Sequence, residues 1–131
     1  MAKMIHSMIR VSDLDRSIRY YQQTLNLHPA GRFDMEDFSL VYLRNEESEF
    51  ELELTFNRDA EEPYSHGSGY GHLAVSVEDA RSFHAQMQEQ GFNPTELKEF
   101  GQGEQIMARF FFLTDPDGYK IEVLERLGRF Q

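Results

Sequence analysis

Two histidines and two glutamates, placed alike in the two halves of the chain, are the side chains here whose types could do chemistry together. The N-terminal stretch Ile5-His6-Ser7-Met8-Ile9-Arg10-Val11-Ser12-Asp13 returns in the second half as Gly71-His72-Leu73-Ala74-Val75-Ser76-Val77-Glu78-Asp79. His72 falls on His6, Val77 on Val11 and Asp79 on Asp13, which marks an internal duplication. Each half then ends in an alternating strand whose polar side carries glutamate: Glu51 and Glu53 in 50–57, Glu122 in 119–125. Two imidazoles and two carboxylates are a hard-to-borderline donor set that suits a divalent first-row metal and leaves positions for water or substrate. The carboxylates would neutralise the ion's charge, which lets so polar a set sit inside a protein. Taken singly, a strand histidine or glutamate reads as an ordinary solvated side chain; the repeated placement singles these out. Parity alone does not choose between Glu51 and Glu53.

The elements that must hold these residues follow from periodicity. Residues 5–11 alternate as a strand, with Ile5, Ser7, Ile9 and Val11 on one side and His6, Met8 and Arg10 on the other. Ser12-Asp13 supplies a helix N-cap, Leu14, Ile18, Tyr21 and Leu25 recur at helical spacing, and Asn26 and Pro29 close the helix. Strand-like runs follow at 30–35, 38–44 and 50–57. The stretch 58–69, with Pro63, Gly67 and Gly69 among several acids, reads as a linker. The second half repeats the order. A strand is expected at 70–77, then a helix capped by Glu78-Asp79 with Ala80, Phe83 and Met87 on its apolar face and Gly91 at its end. A short run at 93–99, a strand at 106–114, the turn Asp115-Pro116-Asp117-Gly118 and a strand at 119–125 complete it. The reading is an α+β fold: one domain over 1–131, built from two tandem βαβββ modules, 5–57 and 70–125. Together they form a cup-shaped, eight-stranded mixed sheet, with helices on the outer apolar face and His6, His72 and the glutamates inside.

Composition narrows the function classes. The 131 residues suffice for one compact domain, and 11 Phe and 6 Tyr help to fill its core. There is no cysteine, which rules out disulfides, thiolate ligands and a thiol nucleophile. A net charge of −10 disfavours nucleic acid and anionic membranes as partners. An anionic substrate would have to be held by a local arginine or lysine. The opening residues lack the apolar run of a signal peptide, and no stretch approaches the ~20 apolar residues of a membrane span, so the cytoplasm is the expected location. His28, His66 and His84 lie in loop, linker and helix, where surface placement accounts for them. Gly67-Ser68-Gly69-Tyr70-Gly71 precedes a strand and is not a phosphate loop, and no serine sits in a nucleophile elbow.

Over 5–125 the sequence resembles glyoxalase I (lactoylglutathione lyase) of the vicinal oxygen chelate superfamily, in its short bacterial form. The stretches that carry the resemblance are Ile5-His6-Ser7-Met8-Ile9-Arg10-Val11 with Asp13-Leu14 and Arg16-Ser17-Ile18, and Glu53-Leu54-Thr55-Phe56-Asn57. To these are added Gly69-Tyr70-Gly71-His72-Leu73-Ala74 and Asp115-Pro116-Asp117-Gly118-Tyr119-Lys120-Ile121-Glu122. The resemblance implies His6, Glu53, His72 and Glu122 as metal ligands and so prefers Glu53 to Glu51. It implies Arg10 and Asn57 as the grip on the γ-glutamyl part of glutathione. The implied reaction converts the hemithioacetal of methylglyoxal and glutathione to S-lactoylglutathione, with Glu122 as base and Glu53 as ligand and second proton carrier. One divalent metal per site is implied, nickel or cobalt ahead of zinc, in a homodimer whose sites lie at the interface. The sequence departs from the pattern at 100–105, where Glu104 stands in place of an expected Lys-Gly element near the glycyl carboxylate; Arg109 lies nearby as a candidate substitute.

Two other readings use the same scaffold. One is a different vicinal oxygen chelate enzyme, acting on another thiol, an acyl-CoA or an antibiotic. The other is a non-catalytic drug-binding protein of the bleomycin-resistance type, which has no need of four metal ligands.

Overall fold

A computed structural model describes residues 1–60 and 63–131; Glu61 and Glu62, within the linker expected over 58–69, lie outside the described residues. Two compact units result, Met1–His66 and Gly67–Gln131. The first contains β1 (His6–Arg10), α1 (Leu14–Leu25), β2 (His28–Asp34), β3 (Phe38–Asn45) and β4 (Ser48–Asn57). The second repeats the order with β5 (Leu73–Val77), α2 (Ala80–Glu89), β6 (Lys98–Gln102), β7 (Gln105–Thr114) and β8 (Lys120–Glu125). The eight strands are divided between two mixed four-stranded sheets, ordered β1-β4-β3-β2 and β5-β8-β7-β6. In each sheet the first strand pairs in parallel with the last, and the remaining pairs are antiparallel. The fold is α+β, as read from the sequence.

In the first unit Ile9, Val41, Leu43, Leu52 and Leu54 are buried, as are Leu14, Tyr20 and Tyr21 of the helix. Full burial of each such side chain contributes about 1.5–3 kcal/mol. Asp13 caps α1 by accepting the Arg16 N–H at 3.0 Å. Asn26 adopts φ 54°, and Leu27 N–H returns to the Tyr21 carbonyl at 3.1 Å. The buried stripe is turned from the expected one: Ser17 and Thr24 are buried, while Ile18 and Leu25 sit half-buried at its margin. Thr24 can be there because its hydroxyl donates to the Tyr20 carbonyl at 2.7 Å. Pro29 does not close the helix. It lies in β2, an edge strand where a missing N–H is tolerated, and the β2–β3 register shifts between Pro29 and Gly31.

In the second unit Ala80 and Met87 of α2 and Phe111, Leu113, Ile121 and Val123 of the sheet are buried. Asp79 caps α2 through Ser82, accepting its N–H at 3.0 Å and its hydroxyl at 2.9 Å. Gly91, at φ 82°, ends the helix: its N–H bonds Gln88 and the Phe92 N–H bonds Met87, a Schellman closure. β5 begins at Leu73, three residues later than the expected 70, because Gly69 and Gly71 contribute little to strand pairing. The run expected at 93–99 forms as β6 at Lys98–Gln102. Asn93 at φ 51° and Pro94, without an N–H, keep the earlier residues out of the ladder, and Thr95 is tied to Phe112. The Asp115 carboxylate accepts from the N–H groups of Asp117 and Tyr119, both at 2.9 Å, and holds the β7–β8 turn. Among the described residues no helix is long and apolar enough to cross a membrane.

Candidate functional site: a histidine–glutamate pair in each unit

Cross-strand register decides which side chains share a face. In the first unit Met8 lies opposite Glu53, Arg10 opposite Thr55 and His6 opposite Glu51. On the other side of β4, Tyr42 lies opposite Glu53 and Leu40 opposite Thr55. One face thus bears His6, Met8, Arg10, Glu51, Glu53 and Tyr42, and the face turned to α1 bears Ile9, Leu52 and Leu54. His6 Nε2 stands 3.6 Å from Glu53 Oε2. Glu53 is only 8 % exposed, so its charge requires a partner. Tyr42 supplies one: its hydroxyl donates to Glu53 Oε1 at 2.6 Å, while the ring meets His6 edge-on at 5.7 Å between centroids. The hydrogen bond to Glu53, with burial adding to it, raises the Tyr42 phenol above its ordinary value, so it remains a donor. Glu51 turns elsewhere, with Oε2 4.0 Å from Arg44 Nε.

The second unit repeats the geometry. Glu122 lies opposite Ala74 on one side and Phe112 on the other. His72 stands immediately before β5, and its Nε2 is 3.7 Å from Glu122 Oε2. The Phe112 ring meets His72 edge-on at 5.4 Å. Both Nε2–Oε2 separations are too long for hydrogen bonds, yet short enough for nitrogen and oxygen to reach one ion about 2.1 Å from each. Within either unit the grouping stops at two, and among the described residues no three His, Asp or Glu side chains gather in a metal-holding group.

The two expected substrate-binding residues lie at the same end of the first sheet, on the face of His6 and Glu53. Arg10 ends β1, and Asn57 ends β4 with its side-chain amide donating to Tyr64 Oη at 3.3 Å. The segment 100–105 is a tight hairpin between β6 and β7. A Cβ on Gly101 would come within 2.3 Å of the Gln105 carbonyl oxygen, and Gly103 takes φ 64° beside the exposed Glu104. Arg109, the candidate substitute for a base there, is committed to Glu99, at 2.9 Å, and to Glu125. The Glu99 contact raises the guanidinium's already high pKa, and Glu99 is held below its ordinary value in return. Arg109 is therefore engaged within its own sheet and does not replace a basic residue in that loop. The remaining histidines have local roles: His28 meets Asn26 Oδ1 and His84 meets the Thr95 carbonyl, each at 2.8 Å. His84 also packs edge-on against Phe111, which places it in the core margin, and His66 is half-buried.

Tyr42, which meets both Glu53 and His6, is the site neighbour that sequence reasoning missed. Counting back from the β3–β4 turn, where Asn45 opposes Ser48, would set Tyr42 against Glu51. A register shift between Leu43 and Asn45 moves it to Glu53. The available signal was a hydroxyl-bearing aromatic in β3 where the matching strand of the second half has Phe112.

A family model described as the glyoxalase/bleomycin resistance protein/dioxygenase superfamily matches residues 3–123. A lactoylglutathione lyase of Haemophilus influenzae is 38 % identical over 128 residues, covering 94 % of this chain and 92 % of its own length. Among solved structures, the trypanothione-dependent glyoxalase I of Leishmania major aligns with TM-score 0.73 and 36 % identity, over 95 % of this chain and 87 % of that one. Glyoxalase I of Zea mays aligns with TM-score 0.82 and 30 % identity, over 96 % of this chain but 45 % of the maize chain.

Proposed function

The chain belongs to the glyoxalase/bleomycin resistance protein/dioxygenase superfamily, and from that premise we infer that it is a lactoylglutathione lyase. The reaction isomerises the hemithioacetal of methylglyoxal and glutathione to S-lactoylglutathione. The observation that carries the reading is the pair His6–Glu53 recurring as His72–Glu122 with matching separations of 3.6 and 3.7 Å. A drug-sequestering protein has no use for this repeated donor set.

The donor chemistry fits a divalent ion: imidazole nitrogen and carboxylate oxygen from each unit, with His6, Glu53, His72 and Glu122 as the four ligands. Nickel or cobalt is favoured and zinc is admitted. When bound, such an ion supplies Lewis-acid stabilisation of the negative charge that develops on the substrate's two vicinal oxygens. Glu122 takes the proton from the carbon that bears sulfur and hydroxyl, and the same proton is returned to the neighbouring former carbonyl carbon. The hydroxyl proton passes from one oxygen to the other, so the change is an isomerisation with no redox partner. Glu53 serves as ligand and as second proton carrier. Arg10 and Asn57 bind the γ-glutamyl end of the thiol, charge to charge and by amide hydrogen bonds. The enzyme is a homodimer of the cytoplasm, and the two modules, 5–57 and 70–125, work as one domain.

A specific observation favours a second reading of the thiol. Glu104 stands at the tip of the β6–β7 hairpin, and Arg109 is held by Glu99 and Glu125. An acid there disfavours a glycyl carboxylate and suits a thiol with a neutral or cationic group at that end. The relative from Leishmania major is described as trypanothione-dependent. The test is metal reconstitution: strip the protein with a chelator, add Ni, Co, Mn or Zn singly, and follow thioester absorbance with methylglyoxal plus glutathione. Turnover restored by one metal supports the reading. Tight metal binding without turnover on glutathione, but with turnover on trypanothione, replaces the thiol. Failure with both overturns the activity.

A further inference from the structure

We propose that Tyr42 is a positioning residue that makes the two glutamates unequal, fixing Glu53 as the standing metal ligand and leaving Glu122 as the carboxylate free to carry the proton. The inference rests on the metal-dependent isomerase reading above and deepens it. The two half-sites are one construction laid down twice, so what differs between them is informative. Glu53 is flanked across its strands by Met8 and Tyr42. Glu122 is flanked by Ala74 and Phe112 at the matching positions. Both aromatic rings stand edge-on to the histidine, at 5.7 and 5.4 Å, so the ring placement is shared and the hydroxyl is the difference.

That hydroxyl donates to Glu53 Oε1 at 2.6 Å and leaves Oε2 turned to His6 Nε2. A carboxylate held at one oxygen by a short, charge-assisted bond keeps one orientation. Phe112 offers Glu122 no donor, and Ala74 stands where the first unit has Met8. The Glu122 side chain is 20 % exposed against 11 % for Glu53. A ligand has to stay in place, whereas a proton carrier has to swing between two carbons. The pinned carboxylate suits the first task and the untethered one the second.

The test uses the full chain in three forms besides wild type: Y42F, F112Y and the exchange Y42F/F112Y. Two readouts are taken on each, Ni²⁺ affinity by competition with a chromophoric chelator, and kcat and KM for the hemithioacetal. Loss of one charge-assisted hydrogen bond is expected to weaken Ni²⁺ binding about tenfold in Y42F. F112Y should leave Ni²⁺ affinity no weaker than wild type but lower kcat about tenfold, with KM little changed, because the new hydroxyl tethers the base. The exchange should recover much of the affinity while keeping the low kcat, a rescue that a mere packing role for Tyr42 would not give. Unchanged affinity in Y42F, or equal losses of affinity in Y42F and F112Y, would overturn the proposal. A wild-type chain that binds Ni²⁺ without turning over the hemithioacetal would remove the proposed activity alone, since the order of affinities still decides the role of Tyr42. A chain that binds no metal would remove both.

Discussion

In the first unit the face that carries His6 and Glu53 also carries Arg10 at the end of β1 and Asn57 at the end of β4. In the second, the matching positions beside His72 and Glu122 hold Ser76 and Arg126. There the two are joined to each other: Arg126 Nε donates to Ser76 Oγ at 3.3 Å, and its Nη1 lies 3.9 Å from Glu78. Sheet order, the aspartate N-caps of the helices and the histidine–glutamate pair are the same in both units. What has changed is the ring beside each glutamate and the residues at the end of the face. On the proposed reading, duplication has kept the ion-holding pair in two copies and let the residues that hold and convert a substrate differ.

The largest effect should come from the glutamates. Glu122→Gln is expected to lower kcat about 1,000-fold with metal content retained, the scale of a lost general base. Glu53→Gln should show first as weaker metal binding; kinetics and metal analysis on both variants, giving equal profiles, would erase the distinction between the halves. Next come the ends of the two faces. Arg10→Ala should raise KM for the hemithioacetal about tenfold or more, the cost of one charged hydrogen bond, while Ser76→Ala leaves KM nearly unchanged. Similar KM changes in both would mean that the second unit shares the binding of substrate.

The smallest effect concerns acid stability. Asp34 in the first unit is held below its ordinary value by the Ser39 hydroxyl and then Arg32; in the second, Asp79 is lowered by Ser82 and Glu99 by Arg109 and then Arg81. A carboxylate with a lowered folded-state pKa contributes stability that is present above its ordinary value, 3.8 for Asp and 4.5 for Glu, and is lost as pH falls through the folded value. Thermal unfolding should therefore shift downward as pH drops below about 4, modestly, because these groups are solvent-screened. Glu99→Gln and Asp34→Asn should each flatten that slope, since each carboxylate faces two arginines; a slope in calorimetry left unchanged by one of them would move the acid-sensitive region to the other unit.

Much of this was legible in the chain because it is local. Asp13 and Asp79 cap their helices through the residues three positions on, and the Asp115 turn is closed by its own neighbours. Element order and the parity that puts His6 and Glu53 on one face follow from the same short-range patterns. What escaped depends on contacts distant in sequence. Whether Ile18 or Ser17 faces the sheet is set by how α1 lies on it, and a proline could enter β2 because that strand is an edge. Glu51 and Glu53 share a parity, and the Arg44 contact and the shifted β3–β4 register are what separate them. The hydroxyl of Tyr42 reaches Glu53 only through that shift.

The parallel pairing at the side of each sheet has a consequence for the order of assembly. Each glutamate belongs to a hairpin, β3–β4 or β7–β8, whose partners are close along the chain and meet early. Each histidine stands in or just before a strand that must find its partner across the length of the unit, as His6 finds Glu51 and Leu73 finds Ile121. That closure carries the larger entropic barrier and comes late. An ion joining histidine to glutamate would fasten the last seam to form, and its grip would be felt as slower unfolding more than as faster folding.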